Sequence, residues 1–148
     1  MLAYGVAPSD EVPMEVNAEP VMSYCGPVVN LRKVPKNTPV SYGGIYVTES
    51  ETNIGVIQMG FADGLPRSWF ENGYVSYNGK NYKIAGRICM DQFMVDFRDT
   101  EPTIGDEVLI FGKKKNDFIP IETIAKKIDT TTYVLLTAIR GRTEYIVQ

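Results

Sequence analysis

Histidine is missing from this sequence altogether, and only two cysteines, Cys25 and Cys89, occur, far apart and outside any CxxC pattern. Without imidazole no Ser-His-Asp or Cys-His nucleophile and no histidine-bound zinc site can be built. Two distant thiols favour reduced cysteines in a cytosolic protein over a structural disulfide. Long apolar runs are missing too, and the opening MLAYGVAPSDEV has neither a basic head nor an apolar core followed by a cleavage site. The expectation is a cytoplasmic chain with no membrane partner. Nor is there an excess of basic charge: 15 basic residues face 18 acidic ones, for a formal net charge of −3. The single basic run, Lys113-Lys114-Lys115, lies between Gly112 and Asn116-Asp117 and reads as a solvated hairpin tip, so no nucleic-acid partner is expected. No Walker loop, no GxGxxG, no internal repeat and no low-complexity segment is present.

What is present is a succession of short strands in a chain that is most simply one domain with a core of its own. After an acidic, proline-rich stretch at 7–20, which reads as an extended connection, VMSYCGPVVNLRKV (21–34) reads as one long strand interrupted at Gly26-Pro27. That dipeptide should force a bulge or a sheet edge there. NIGVIQMGF (53–61) reads as a buried strand ending at Gly60. GYVSYNGKNYKIAGRI (73–88) is a hairpin, because Asn78-Gly79 separates two alternating runs. DEVLIFGKKKNDFIPI (106–121) is a second one, turning between Gly112 and Asp117. The apolar residues of PIETIAKKI (120–128) fall at helical spacing, and DTTTYVLLTAI (129–139) offers Asp129 or a threonine as the cap of another helix. TEYIV at the end suggests a closing strand. Many short strands, glycine-rich turns and one or two short helices near the C-terminus imply a mainly β fold, either a small closed barrel or a sandwich.

With no histidine, tyrosine is the natural group for proton chemistry, and there are nine. A phenol with its ordinary pKa of about 10 needs about 4 kcal/mol of help to act as a base near neutral pH. Tyr42, in SYGG beside two glycines, can stand exposed on a loop tip; a packed tyrosine with a bonded hydroxyl is the plainer alternative. In GRICMDQFMVDF (86–97) the alternation from Phe93 to Phe97 marks a half-buried strand, which puts Cys89-Met90-Asp91-Gln92 at its entrance. Binding groups often sit at such entrances, whereas the structural reading is a buried Cys-Met pair and an acid bonded to a local turn. GFADGLPRS (60–68) reads either as a tight turn with a local Asp63–Arg67 contact or as an anion clamp. Every lysine lies in a turn, an amphipathic helix or a polar hairpin, so none is desolvated as a Schiff-base lysine should be. The chain holds half of an active site at most, and no metal site.

In that order and at matching spacings, VSYGGIYV, GFADGLPRS, NGKNYKIAGRICMDQFMVDF, IGDEVLIFG and IETIAKKIDTTTYVLLTAI resemble the carboxy-terminal domain of alanine racemases. The resemblance covers nearly the whole chain. It implies a closed Greek-key-like β-barrel that follows a (β/α)8 barrel, with 1–20 as the connection and 1–148 as the domain. Neither that barrel nor its lysine motif is matched here, so the isolated domain is expected to be inactive. It further implies pyridoxal phosphate as cofactor, interconversion of L- and D-alanine for peptidoglycan, and a homodimer with active sites between subunits. Tyr42 matches the catalytic tyrosine that works opposite the lysine, on the other face of the substrate. Met90 matches the residue whose backbone N–H meets the substrate carboxylate, and Asp91 the acid beside it. Tyr133 matches the tyrosine that hydrogen-bonds the cofactor phosphate. Phe61 stands where many members carry a tyrosine at the substrate entrance, and Tyr145 where an arginine often follows Arg142. The change at Phe61 leaves a serine or broad-specificity racemase as an alternative, and a non-catalytic β domain binding a partner protein is the other.

Overall fold

A computed structural model describes residues 4–6 and 19–147, and most of the expected extended connection, 7–18, lies outside them. Asn78 and Gly79 both adopt positive φ, 51° and 75°, as a two-residue type I′ turn requires. They join β5 (Tyr74–Tyr77) to β6 (Lys80–Ile84), with Tyr77 opposite Lys80. β7 (Phe93–Asp96) continues from β6, and β8 (Glu107–Lys114) returns to pair with β5. The spatial order β8-β5-β6-β7 is a Greek key. β4 (Thr52–Ile57) flanks β7, and β1 (Tyr24–Val34) pairs with both β4 and β8, so six strands form a closed antiparallel ring. β9 (Asp117–Ile119) extends β8 beyond the ring, while β2 (Pro39–Val40) and β3 (Tyr46–Val47) form a separate two-stranded ribbon. The fold is thus mainly β and a closed Greek-key barrel, as the family resemblance implied, and of the barrel and sandwich that the strand pattern left open it is the barrel that forms.

β1 closes the ring by changing partner along its length. Tyr24–Pro27 pairs with β8 and Val28–Val34 with β4. Gly26-Pro27 therefore neither ends the strand nor puts it at an edge. Pro27 sits where the partner changes, its carbonyl accepts the Gln58 N–H at 3.0 Å, and register shifts fall on either side of it, between Tyr24 and Cys25 and between Val28 and Asn30. The strand also begins at Tyr24 rather than Val21, and β4 stops at Ile57, leaving Gly60 to open a loop.

Alternation in β7 is as read, with Phe93 and Val95 buried and Met94 and Asp96 half-buried. Trp69, Phe97, Ile88, Leu109 and Ile110 complete the interior with them. Truncating such a residue to alanine costs about 2–5 kcal/mol in a well-packed core. Both helices form: α1 (Ile121–Lys127) buries Ile121, Ile124 and Ala125, and α2 (Thr132–Ala138) buries Leu135.

Three local expectations are corrected. Asp129 does not cap α2; at φ 52° it is the left-handed residue after α1, where Thr130 N–H bonds the Ala125 carbonyl at 2.9 Å, and Thr131 takes the cap position. Gly112 lies within β8 at φ 98°, where a Cβ would come within 2.2 Å of the Met22 carbonyl oxygen, and the hairpin turns at Lys115-Asn116. TEYIV forms no strand, and Tyr145, Ile146 and Val147 are exposed. β propensity is expressed only against a neighbouring strand, and no edge of the closed ring receives this segment.

Candidate functional site

Three loops meet at one end of β4, β6 and β7. The first joins β2 to β3, where Ser41, Gly43 and Gly44 take positive φ of 64°, 75° and 57° and wind a single 3-10 turn from Tyr42 to Gly44. The bend leaves Tyr42 71% exposed. The loop is tied at its base: Ser41 Oγ donates to the Arg87 carbonyl at 2.8 Å, and Arg87 Nη1 donates to the Tyr42 carbonyl at 3.4 Å. Gly86, at φ 88°, makes room for this seat, since a Cβ there would lie 2.6 Å from Ser41 Cβ.

The second loop, Gly60 to Gly64, packs backbone to backbone on the third, Gly86 to Gln92. Phe61 N–H donates to the Cys89 carbonyl and Ala62 N–H to the Met90 carbonyl, each at 3.0 Å. Cys89 N–H closes its own turn onto the Gln92 carbonyl at 2.9 Å. A trans peptide is planar with its C=O and N–H opposed. Anchoring the Cys89 and Met90 carbonyls against loop 60–62 therefore aims the next two N–H groups, of Met90 and Asp91, away from it. Neither N–H has a partner among the described residues. Successive amides aimed the same way make a natural seat for an anion.

Asp63 holds the second loop together. Its Oδ2 accepts the Gly60 N–H at 2.9 Å, and its carbonyl accepts the Tyr24 hydroxyl at 2.6 Å. Burial raises the pKa of that phenol above its ordinary value, so Tyr24 stays a donor. The expected local contact with Arg67 is absent, because the Arg67 guanidinium lies over the Phe61 ring, 5.3 Å from its centre. Asp63 pairs instead with Arg142, which also reaches Asp91.

Phe61 faces a third feature, an open cleft of about 430 Å³ walled by Arg67, Asp129, Val134, Leu135, Ala138 and Arg140 among others. Tyr133 sits next to that wall in the first turn of α2, its side chain exposed; its carbonyl accepts the Thr137 hydroxyl at 2.8 Å. No hydrogen bond or ion pair among the described residues joins Tyr133 to the Tyr42 or Met90 loops. The structure thus ties the loops of Tyr42, Phe61, Met90 and Asp91 to one another by hydrogen bonds, while Tyr133 lies on α2, the helix that walls the cleft Phe61 faces.

Arg142 and Ser41 are the contributors that residue patterns did not disclose. Arg142 was visible only as a position in the tail, and nothing in the spacing links it to an acid 79 residues earlier. Among the described residues no group of three or more His, Cys, Asp or Glu side chains is placed to hold a metal ion. The arrangement offers an exposed phenol and two free amides, which suits moving a proton and binding an anion. It has no electron sink of its own.

The family model for the C-terminal domain of alanine racemase matches residues 21–147. The alanine racemase of Haemophilus influenzae is 38% identical over 149 residues, spanning 99% of this chain and 40% of that protein. The solved alanine racemase of Streptomyces lavendulae superposes with a TM-score of 0.86 at 39% identity, covering 95% of this chain and 37% of that one. An alanine racemase from Bartonella henselae, solved with covalently bound pyridoxal phosphate, gives a TM-score of 0.86 at 28% identity, over 98% of this chain and 39% of that one. The chain spans about two fifths of the length of these relatives.

Proposed function

Since the chain belongs to the alanine racemase family, as its C-terminal domain, we propose that it supplies one proton-transfer group and part of the substrate site of an enzyme interconverting L- and D-alanine. The observation that carries the reading is the exposed Tyr42 phenol on a loop whose base is bonded to the loop presenting the free Met90 N–H. A base and a carboxylate anchor held in fixed relation are what abstraction of a proton beside a carboxylate requires.

Tyr42 takes or returns the α-proton on one face of the substrate through its phenol oxygen, while a lysine outside this chain serves the other face. Met90 N–H holds the carboxylate, so that the α-carbon stays between the two bases. Asp91 binds through its backbone at most, because its carboxylate is engaged by Arg142 and would repel a substrate anion. Phe61 narrows the entrance without offering a hydroxyl.

Pyridoxal phosphate, when bound, supplies the electron sink that makes the α-proton removable. The residues here fit the edge of that group and not its anchorage. Tyr133 is exposed and its hydroxyl suits a phosphate oxygen, but among the described residues none of the three loops or the cleft wall carries a lysine. As the family resemblance implies, the protein works as a homodimer in which Tyr42 and Met90 serve the partner's active site and Tyr133 its own. Residues 1–20 are read as the connection from a preceding barrel and 1–148 as the domain. The setting is the cytoplasm, with D-alanine going to peptidoglycan; no helix among the described residues is long and apolar enough to cross a membrane.

The test is Tyr42→Phe in the full-length protein. Removing a positioned acid–base group should lower racemisation by about 10²-fold or more. Undiminished activity in both directions would overturn the assignment.

A further inference from the structure

Arg142 is the one side chain among the described residues that bonds both the loop carrying Phe61 and the turn carrying Met90. One edge of its guanidinium, Nε and Nη2, meets the Asp63 carboxylate at 2.9 to 3.0 Å. The remaining nitrogen, Nη1, meets Asp91 Oδ1 at 2.8 Å. A planar fork can bridge two carboxylates in this way, whereas a lysine ammonium acts as a point charge.

The two contacts differ in setting. The Asp63 side chain is 11% exposed, while those of Arg142 and Asp91 are 59% and 58% exposed. The Asp63 side is therefore the fixed mount, and the Asp91 side is a solvent-screened reach toward the turn that contributes little to folding. That turn already hangs from loop 60–62 by the bonds from Phe61 and Ala62. Arg142 braces it from the opposite end, through Asp91. It also sets one positive charge against two carboxylates that would otherwise face an incoming anion.

Resting on the reading above, we propose that Arg142 is a positioning residue for the substrate carboxylate: it braces the Cys89–Asp91 turn, keeps the Met90 and Asp91 N–H groups aimed at the anion, and offsets the charge of Asp63 and Asp91. It touches neither the substrate nor the cofactor. Its loss should therefore weaken binding and leave the proton transfers, which depend on Tyr42 and the distant lysine, largely intact.

The experiment uses the full-length, cofactor-loaded protein with Arg142→Met, which keeps the bulk and removes the charge, and Arg142→Lys, which keeps the charge and loses the bridge. For Arg142→Met, KM for both alanine enantiomers should rise by about tenfold while kcat changes by less than about threefold. Arg142→Lys should fall between that variant and the wild type. Hydrogen exchange at Phe61 and Ala62, read by mass spectrometry without substrate, should quicken by about fivefold or more in Arg142→Met. Unchanged KM, a loss confined to kcat, or unchanged exchange at 61–62 would overturn the proposal. A wild-type protein that does not racemise alanine would remove the functional reading alone, and the exchange result would then decide whether Arg142 braces the turn.

Discussion

Gly60→Ala isolates the packing of the two loops that present Phe61 and Met90. Gly60 has φ −149°, extended backbone that alanine adopts freely, so any effect is steric. A Cβ there would lie 2.2 Å from the Met90 carbonyl oxygen and 2.3 Å from that of Cys89. Both obstacles are backbone in a turn closed by the Cys89–Gln92 bond, so neither can rotate aside as a side chain would. Relief requires the loops to part by about 1 Å, which stretches the bonds from Phe61 and Ala62, now 3.0 Å, beyond hydrogen-bonding range. Each such bond contributes about 1 kcal/mol net, and two carbonyls would lose their donors. The expected loss is about 2–4 kcal/mol, or a fall in Tm of about 5–12 °C for a chain of this size. Thermal and urea unfolding followed through Trp69, the only tryptophan and fully buried, would measure it. A shift below about 0.5 kcal/mol, the usual range for an inconsequential substitution, would refute the argument that these loops pack rigidly.

Stability should also fall in alkali. Burial pushes the Cys25 thiol up to about 11, and the hydrogen bond to Asp106, with burial second, pushes the Tyr77 phenol up to about 12. Both pKa values lie above the unfolded ones, so the unfolded chain releases its protons first, and stability held at lower pH is lost as pH rises through the folded values. Urea midpoints should drop from about pH 9 upward, and Cys25→Ala should flatten the slope between about 9 and 11; an unchanged slope would count against burial as the cause. Gly79→Val should cost about 1–2 kcal/mol, because the I′ turn holds that residue at φ 75°. An equal urea midpoint would mean that the hairpin tip tolerates another turn. Tyr42→Phe and Arg142→Met complete the set.

Much of the barrel was legible because its signals are local. Asn78-Gly79 marks a two-residue turn, and Phe93 to Phe97 alternates with the pleat, so β5, β6 and β7 could be placed from neighbours alone. The partner exchange in β1 could not, since the residues opposite Tyr24–Pro27 lie on β8. TEYIV misled for a related reason: strand propensity says nothing of whether an edge is available. Within the site, SYGG and CMDQ were visible as loops, yet the roles of Tyr42, Met90, Asp91, Phe61 and Tyr133 came from the family resemblance. Composition and spacing alone did not single them out. The Asp63–Arg142 pair was hidden by distance along the chain, and a plausible partner at Arg67 stood closer in sequence.

β1 ties the order of synthesis to the order of assembly. Its first residues must find Glu107–Phe111, roughly eighty positions later, before the ring can shut. Until β8 has left the ribosome, β1 and β5 each offer unpaired amides and carbonyls, the kind of surface on which chains join one another. Products ending short of β8 should therefore gather into aggregates even though every loop of the site is already encoded in them. Lengthening the Thr100–Asp106 connection should slow closure only slightly, because the closure entropy grows only with the logarithm of loop length.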